Sequence, residues 1–125
     1  VILDTNALSA LADGDALLGK QLHATSTASV PAIVLGEYRF GILGSRHRAR
    51  YEAWLAESLA VFDILPVDAG TALAYAEIRR GLKNRGTPIP ENDIWIAALA
   101  FQYRLPVLSK DRHFSLIPEI TSVHW

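Results

Sequence analysis

The chain has no cysteine, which excludes disulfides, thiolate-bound zinc and cysteine nucleophiles, and leaves only oxygen and imidazole ligands for any metal. It also lacks an apolar run of the roughly 18 to 20 residues that span a bilayer. No basic flank precedes its strand-like opening, so it reads as a soluble, non-secreted, cytoplasmic protein. Excess charge of either sign is missing. A net charge of -1 argues against a polybasic wrap around nucleic acid, while leaving room for a local basic surface. Repeats, low-complexity tracts and interdomain linkers are absent as well. What is present is 125 residues, 50% of them hydrophobic, enough to bury a core without staples. Residues 1–125 are expected to form a single domain.

Short runs rich in β-branched residues alternate with longer segments of helical period, a pattern that favours a parallel sheet flanked by helices. Strands are expected over 1–4, 25–30, 63–67, 107–109 and 120–123. A short helix should follow Asn6, and a second should occupy 14–24. Pro31 suits the first turn of another, running to about Leu43 with Gly44 as its stop. Tyr51, Leu55, Leu59 and Phe62 share one stripe of a helix over 46–62, as do Ala74, Ile78 and Leu82 over 69–85. The two prolines and the glycine of 86–91 require a loop. A nearly all-apolar helix, 94–101, follows and is closed by Leu105-Pro106.

Four acids stand out because each lies at the end of an apolar run or inside an apolar helix, where a lone charge is costly unless compensated. They are Asp4 in Leu3-Asp4-Thr5-Asn6, Glu37 in Leu35-Gly36-Glu37-Tyr38, Asp93 in Asn92-Asp93-Ile94-Trp95, and Asp111 in Ser109-Lys110-Asp111-Arg112. Each has an ordinary explanation. Asp4 serves as an N-cap or Asx-turn residue, Asp93 as the cap of the apolar helix, Asp111 as a turn residue, and Glu37 as part of a solvated helix face.

Together they carry more. In an open α/β sheet, sites form in the crevice at the carboxyl ends of the strands, near a switch in strand order. Asp4 and Asp111 follow strands, Asp93 starts a helix that can project to the same edge, and Glu37 needs one helix packed over it. A mainly carboxylate cage without cysteine selects Mg²⁺ or Mn²⁺ over zinc or copper. Attack of activated water on a phosphodiester is the chemistry such ions support best.

With these motifs in this order, the chain resembles a PIN-domain ribonuclease, and more narrowly the VapC-like toxin of a type II toxin-antitoxin pair. The resemblance spans essentially the whole chain. It rests on Leu3-Asp4-Thr5-Asn6, on the Glu37 helix ending in Gly41, on Asn92-Asp93-Ile94-Trp95-Ile96-Ala97-Ala98, and on Ser109-Lys110-Asp111-Arg112-His113-Phe114. It implies a three-layer α/β/α fold with a short, mainly parallel sheet, and an Mg²⁺- or Mn²⁺-dependent endoribonuclease in which Asp4, Glu37, Asp93 and Asp111 are both catalytic and metal-binding. It also implies an RNA substrate, a small cognate antitoxin that blocks the acids, a homodimer and a toxin-antitoxin hetero-oligomer. The N-terminal helices and the helix from Pro31 are the expected walls of the antitoxin groove.

Asn6 and Ser109 are candidates to hydrogen-bond the carboxylates, or simply order their own turns. Arg46, Arg48, Lys110 and Arg112 are candidate RNA contacts. Arg79, Arg80, Lys83 and Arg85 form a second basic patch, although charge runs usually mark solvated faces. Thr5 is read as structural and His113 as a turn or packing residue, since the four histidines share no metal-ligand spacing. Trp54 reads as core or interface and Trp95 as helix packing. Two other classes fit less well. A phosphoacceptor receiver domain wants paired acids after its first strand, where Thr5 follows Asp4, and a haloacid-type phosphatase wants an acid where Asn6 stands. A PIN-like module that binds RNA or protein without cutting is the remaining alternative.

Overall fold

The computed structural model describes residues 1–24 and 27–125. Its five strands are β1 (Ile2–Leu3), β2 (Ser29–Pro31), β3 (Asp63–Leu65), β4 (Val107–Leu108) and β5 (Ser122–Val123). They form one sheet in the order β3-β2-β1-β4-β5, and every neighbouring pair is parallel, so the mainly parallel sheet expected is wholly so. The helices are α1 (Thr5–Ala12), α2 (Ala16–His23), α3 (Ala32–Leu43), α4 (Arg48–Ser58), α5 (Ala69–Arg85) and α6 (Glu91–Tyr103), with a 3₁₀ turn over Arg112–Leu116.

The connections from β1 to β2 and from β2 to β3 step one way across the sheet, and that from β3 to β4 steps back past β1. Right-handed crossovers therefore put α1 to α4 on one face and α5 with α6 on the other. The strand order reverses between β1 and β4, and the crevice at their carboxyl ends is where such sheets build sites. The order also differs from the 2-1-3-4-5 arrangement of receiver-type folds.

Burial follows this plan. Ile2, Leu3, Val30, Val107 and Leu108 are buried within the sheet, and α6 is buried continuously from Ile96 to Ala100, as a helix apolar on all sides must be. Among the described residues no helix is long and apolar enough to cross a membrane.

The boundaries differ from expectation for local reasons. β1 stops at Leu3 because Asp4 leaves the ladder to cap α1, its carboxylate accepting from Ala7 N at 2.8 Å. Thr25 and Ser26, assigned to the second strand, lie outside the described residues, and β2 starts at Ser29. Pro31 ends β2 instead of opening the helix, since it has no N–H for the ladder and sits at the strand terminus. Gly41 does not end α3, which runs on to Leu43 with Gly44 as its cap. α4 is shorter than the apolar stripe implied, and β3 stops before Pro66. α6 begins at Glu91, directly after Pro90, so Asp93 lies within the first turn and is not the cap. The 3₁₀ turn at 112–116 and the later start of the last strand, at Ser122, were not legible in the pattern.

Candidate active site

Asp4 sits just past β1 and is 3% exposed. Besides capping α1, its carboxylate accepts a hydrogen bond from the Ser109 hydroxyl, just past β4. Burial pushes its pKa up; the hydrogen bonds from Ser109 and Ala7 oppose this, and the charges of Asp93 and Asp111 reinforce it. Ser109 Oγ accepts in turn from Asp111 N at 2.8 Å, which fixes the turn that carries Asp111. Both readings open for Ser109 hold: it contacts the Asp4 carboxylate and it orders its own turn.

Asp93 projects from the first turn of α6, where the unpaired N–H groups of a helix favour a carboxylate. Burial raises its pKa, the hydrogen bond from His113 lowers it, and the neighbouring charges of Asp111 and Glu37 raise it. His113 Nδ1 lies 2.9 Å from Asp93 Oδ2 and 2.9 Å from Asp111 Oδ1. Both neighbours being carboxylates, the ring hydrogen is assigned to Nδ1. Asp111 accepts also from His113 N at 2.9 Å, so the turn residue folds the imidazole back onto its own carboxylate. The turn role expected for His113 is present, and its ring in addition joins two acids. Its signal in the sequence is the Asp-x-His spacing of Asp111 and His113.

Glu37 reaches the cluster from α3, which touches both α1 and α6. Thr5 Oγ1 donates to Glu37 Oε1 at 2.8 Å, so Thr5, read as structural, orients an acid. All four acids line one open cavity of about 260 Å³, together with Thr5, Asn6 and His113. Arg46, Arg48, Lys110 and Arg112 are not among its walls. Arg48 pairs with Glu52 at 2.9 Å on the exposed surface, and the Lys110 ammonium lies 5.0 Å from the centre of the Trp125 ring. Arg46 and Arg112 are exposed. A larger depression of about 640 Å³ beside the end of α6 contains Glu119 but none of the four acids, so size does not mark the chemistry here.

The donors suit a hard divalent cation. Asp93, Asp111 and His113 each offer a ligand atom, all within 4.8 Å of one another. Burial and mutual repulsion raise the Asp4 and Asp93 carboxyls by more than Ser109, Ala7 and His113 offset, and a cation would supply the remaining compensation.

Residues 1–120 match the PIN domain family. The chain belongs to the PIN-domain family. This PIN domain is 33% identical to the ribonuclease VapC5 of Mycobacterium tuberculosis, in an alignment covering 98% of the chain and 90% of that protein. It is 30% identical to the toxin FitB of Neisseria gonorrhoeae, covering 89% of the chain and 87% of FitB. Among solved structures, a DNA-bound VapBC from Salmonella typhimurium superposes with a TM-score of 0.88 at 27% identity, covering 99% of the chain and 96% of that structure. VapBC2 of Rickettsia felis superposes with a TM-score of 0.91 over 99% of the chain and 97% of its counterpart. At 23% identity it speaks for the PIN fold alone.

Proposed function

We propose that this PIN domain is a divalent-metal-dependent endoribonuclease and the toxin of a toxin-antitoxin pair. The observation that carries the reading is the convergence of Asp4, Glu37, Asp93 and Asp111, from four separate segments, on one cavity at the switch point of the sheet. The membership in a family whose curated relatives are VapC ribonucleases supplies the substrate class.

In this reading the four acids hold Mg²⁺ or Mn²⁺, with His113 close enough to contribute a ligand or to orient Asp93 and Asp111. Bound there, the cation supplies activation of a water and neutralises charge on the scissile phosphodiester. The chain's own residues supply placement. Ser109 fixes Asp4, Thr5 fixes Glu37, and the Asp111 turn fixes His113, so the carboxylates need little rearrangement to meet the ion. Without a cation the crowded carboxylates repel an RNA phosphate, which couples substrate binding to metal loading.

The similar VapBC-5 of Mycobacterium tuberculosis is a member of the VapBC family of toxin-antitoxin systems, and an assembly of that kind is proposed here: a small antitoxin and a second copy of the chain. The deciding experiment incubates purified protein with RNA and Mn²⁺ and sequences the new ends. Wild type is expected to cut, and Asp4→Asn is expected to leave RNA intact. Intact RNA with wild type across several RNA classes would favour the binding-only alternative.

A further inference from the structure

Beside the acid cavity lies a second one of about 310 Å³, and the two share a wall. Thr5, Ser9 and Asp13 line it from successive turns of one face of α1 and its end, and Glu37 and Gly41 line it from α3. Tyr38 and Tyr51 close it. The shared wall is the hydrogen-bonded pair Thr5 and Glu37. Any occupant therefore lies next to the acids.

Three observations bear on what fits. Tyr38 is 4% exposed and its hydroxyl, buried, has no hydrogen-bond partner among the described residues. A buried hydroxyl left unpaired is costly, and such exceptions call for an explanation. Its pKa is pushed up to about 12, first by burial and then by Tyr51 and Asp13, against Arg50, so Asp13 lies within electrostatic reach of the phenol. Asp13 Oδ1 already accepts from the Tyr51 hydroxyl at 2.7 Å, leaving its other oxygen for a ligand. Gly41 is part of the cavity wall, and a Cβ there would meet nothing within 4 Å.

We propose that this cavity is a nucleobase subsite, which receives the base of a nucleotide adjoining the scissile phosphate and reads its edge with Asp13 and Tyr38. The proposal rests on the ribonuclease reading above. Two carboxylates make the cavity hostile to a phosphate, so the base is the part of the substrate that enters. Single-stranded RNA exposes base edges that present donors and acceptors side by side. An amino-bearing base gives Asp13 a donor and Tyr38 an acceptor. A guanidinium or ammonium from a protein partner has donors only, and would leave the Tyr38 hydrogen unpaired. Uracil is disfavoured because it has no amino group and its one edge donor, N3–H, lies between two carbonyl oxygens whose partial negative charge faces the Asp13 carboxylate.

The test uses purified protein, Mn²⁺ and an RNA library of randomised sequence, with the ends of the products sequenced. Wild type is expected to exclude uracil at one fixed position beside the cut by roughly tenfold. Gly41→Leu adds a side chain to the cavity wall at a position where a Cβ meets open space, and should erase that bias and lower kcat/KM while Mn²⁺ titration stays as in wild type. Asp13→Asn should relax the bias, and it keeps the question answerable if Gly41→Leu fails to fold. Identical base profiles in wild type and the folded variants would overturn the subsite and leave the nuclease intact. So would a Gly41→Leu protein that keeps the wild-type profile but no longer captures a basic antitoxin peptide, since the cavity would then belong to the inhibitor. Wild type that cuts no member of the library overturns both readings together.

Discussion

Ser109 donates its hydroxyl hydrogen to Asp4 across 105 residues of sequence. The same oxygen accepts from Asp111 N, so one small side chain fixes the acid after β1 and the turn that presents the acid after β4. It lies at the point where the strand order reverses, 3% exposed, where a hydroxyl must find partners inside the protein.

Replacing Ser109 by Ala is therefore expected to disturb two acids at once. Outer contacts of this kind are worth roughly 10- to 100-fold in metal affinity or activity. Mn²⁺ titration and RNA cleavage should both fall by that order, with a stability loss of about 1 kcal/mol for the lost buried hydrogen bonds. Unchanged Mn²⁺ affinity would show that Asp4 holds its place without Ser109.

Asp93→Asn separates stability from activity. The Asp93 carboxyl is raised, chiefly by burial. Between the ordinary carboxylate range and that raised value, the native state keeps a proton that the unfolded state has released. Stability in chelator therefore falls as pH rises through the window. The variant escapes this loss: at pH 7 without metal it should be at least as stable as wild type. The two should converge below about pH 4. Cleavage should fall on the order of a hundredfold or more. Urea unfolding at both pH values, beside a cleavage assay, checks it; a variant clearly less stable than wild type at pH 7 contradicts the sign.

His113→Ala tests the residue that links two acids. The side chain is partly exposed, so the fold should persist. With Nδ1 gone, Asp93 and Asp111 lose a shared partner at 2.9 Å. Weaker Mn²⁺ binding, by about tenfold or more, is the expected outcome. Wild-type affinity with full activity would return His113 to a packing role.

Asp68 offers a control outside the acid cavity. It caps α5, accepting from Thr71 N at 3.1 Å, while Thr71 Oγ1 accepts from Asp68 N at 3.1 Å. Its pKa is lowered, first by the hydrogen bond from Gln102 and then by that from Thr71 N. A lowered native value means stability that is present above the ordinary carboxylate range and lost as pH falls through the native one. Asp68→Ala should lower the unfolding midpoint at pH 7 and approach wild type in acid, with Mn²⁺ binding untouched throughout. An equal deficit at every pH would show that the cap acts through shape and not through charge.

Much of this was legible in the sequence because the signals were local. The apolar run of 94–101 made α6, the prolines of 86–90 kept the chain before it open, and the acids at the ends of β1 and β4 announced the crevice. What escaped depended on contacts between segments. Thr5 matters because Glu37, 32 residues on, packs over it. His113 matters because a short 3₁₀ turn aims its ring at α6, and a five-residue turn has no periodicity to betray it. Asp93 was misplaced as a cap because the helix starts at Glu91, directly behind a proline that fixes the first turn.

The pairing of Ile2 with Val107 has a kinetic meaning. Closing so long a loop costs entropy before any contact repays it, and parallel pairs of such separation are slow to form. The helices between can assemble while the β1 and β4 acids remain apart, so partly folded chains carry the parts of a nuclease without its function. On a ribosome, the acid site stays incomplete until the segment through Asp111 has emerged and closed onto β1. In the ribonuclease reading, closing β4 onto β1 is thus the step that arms the protein.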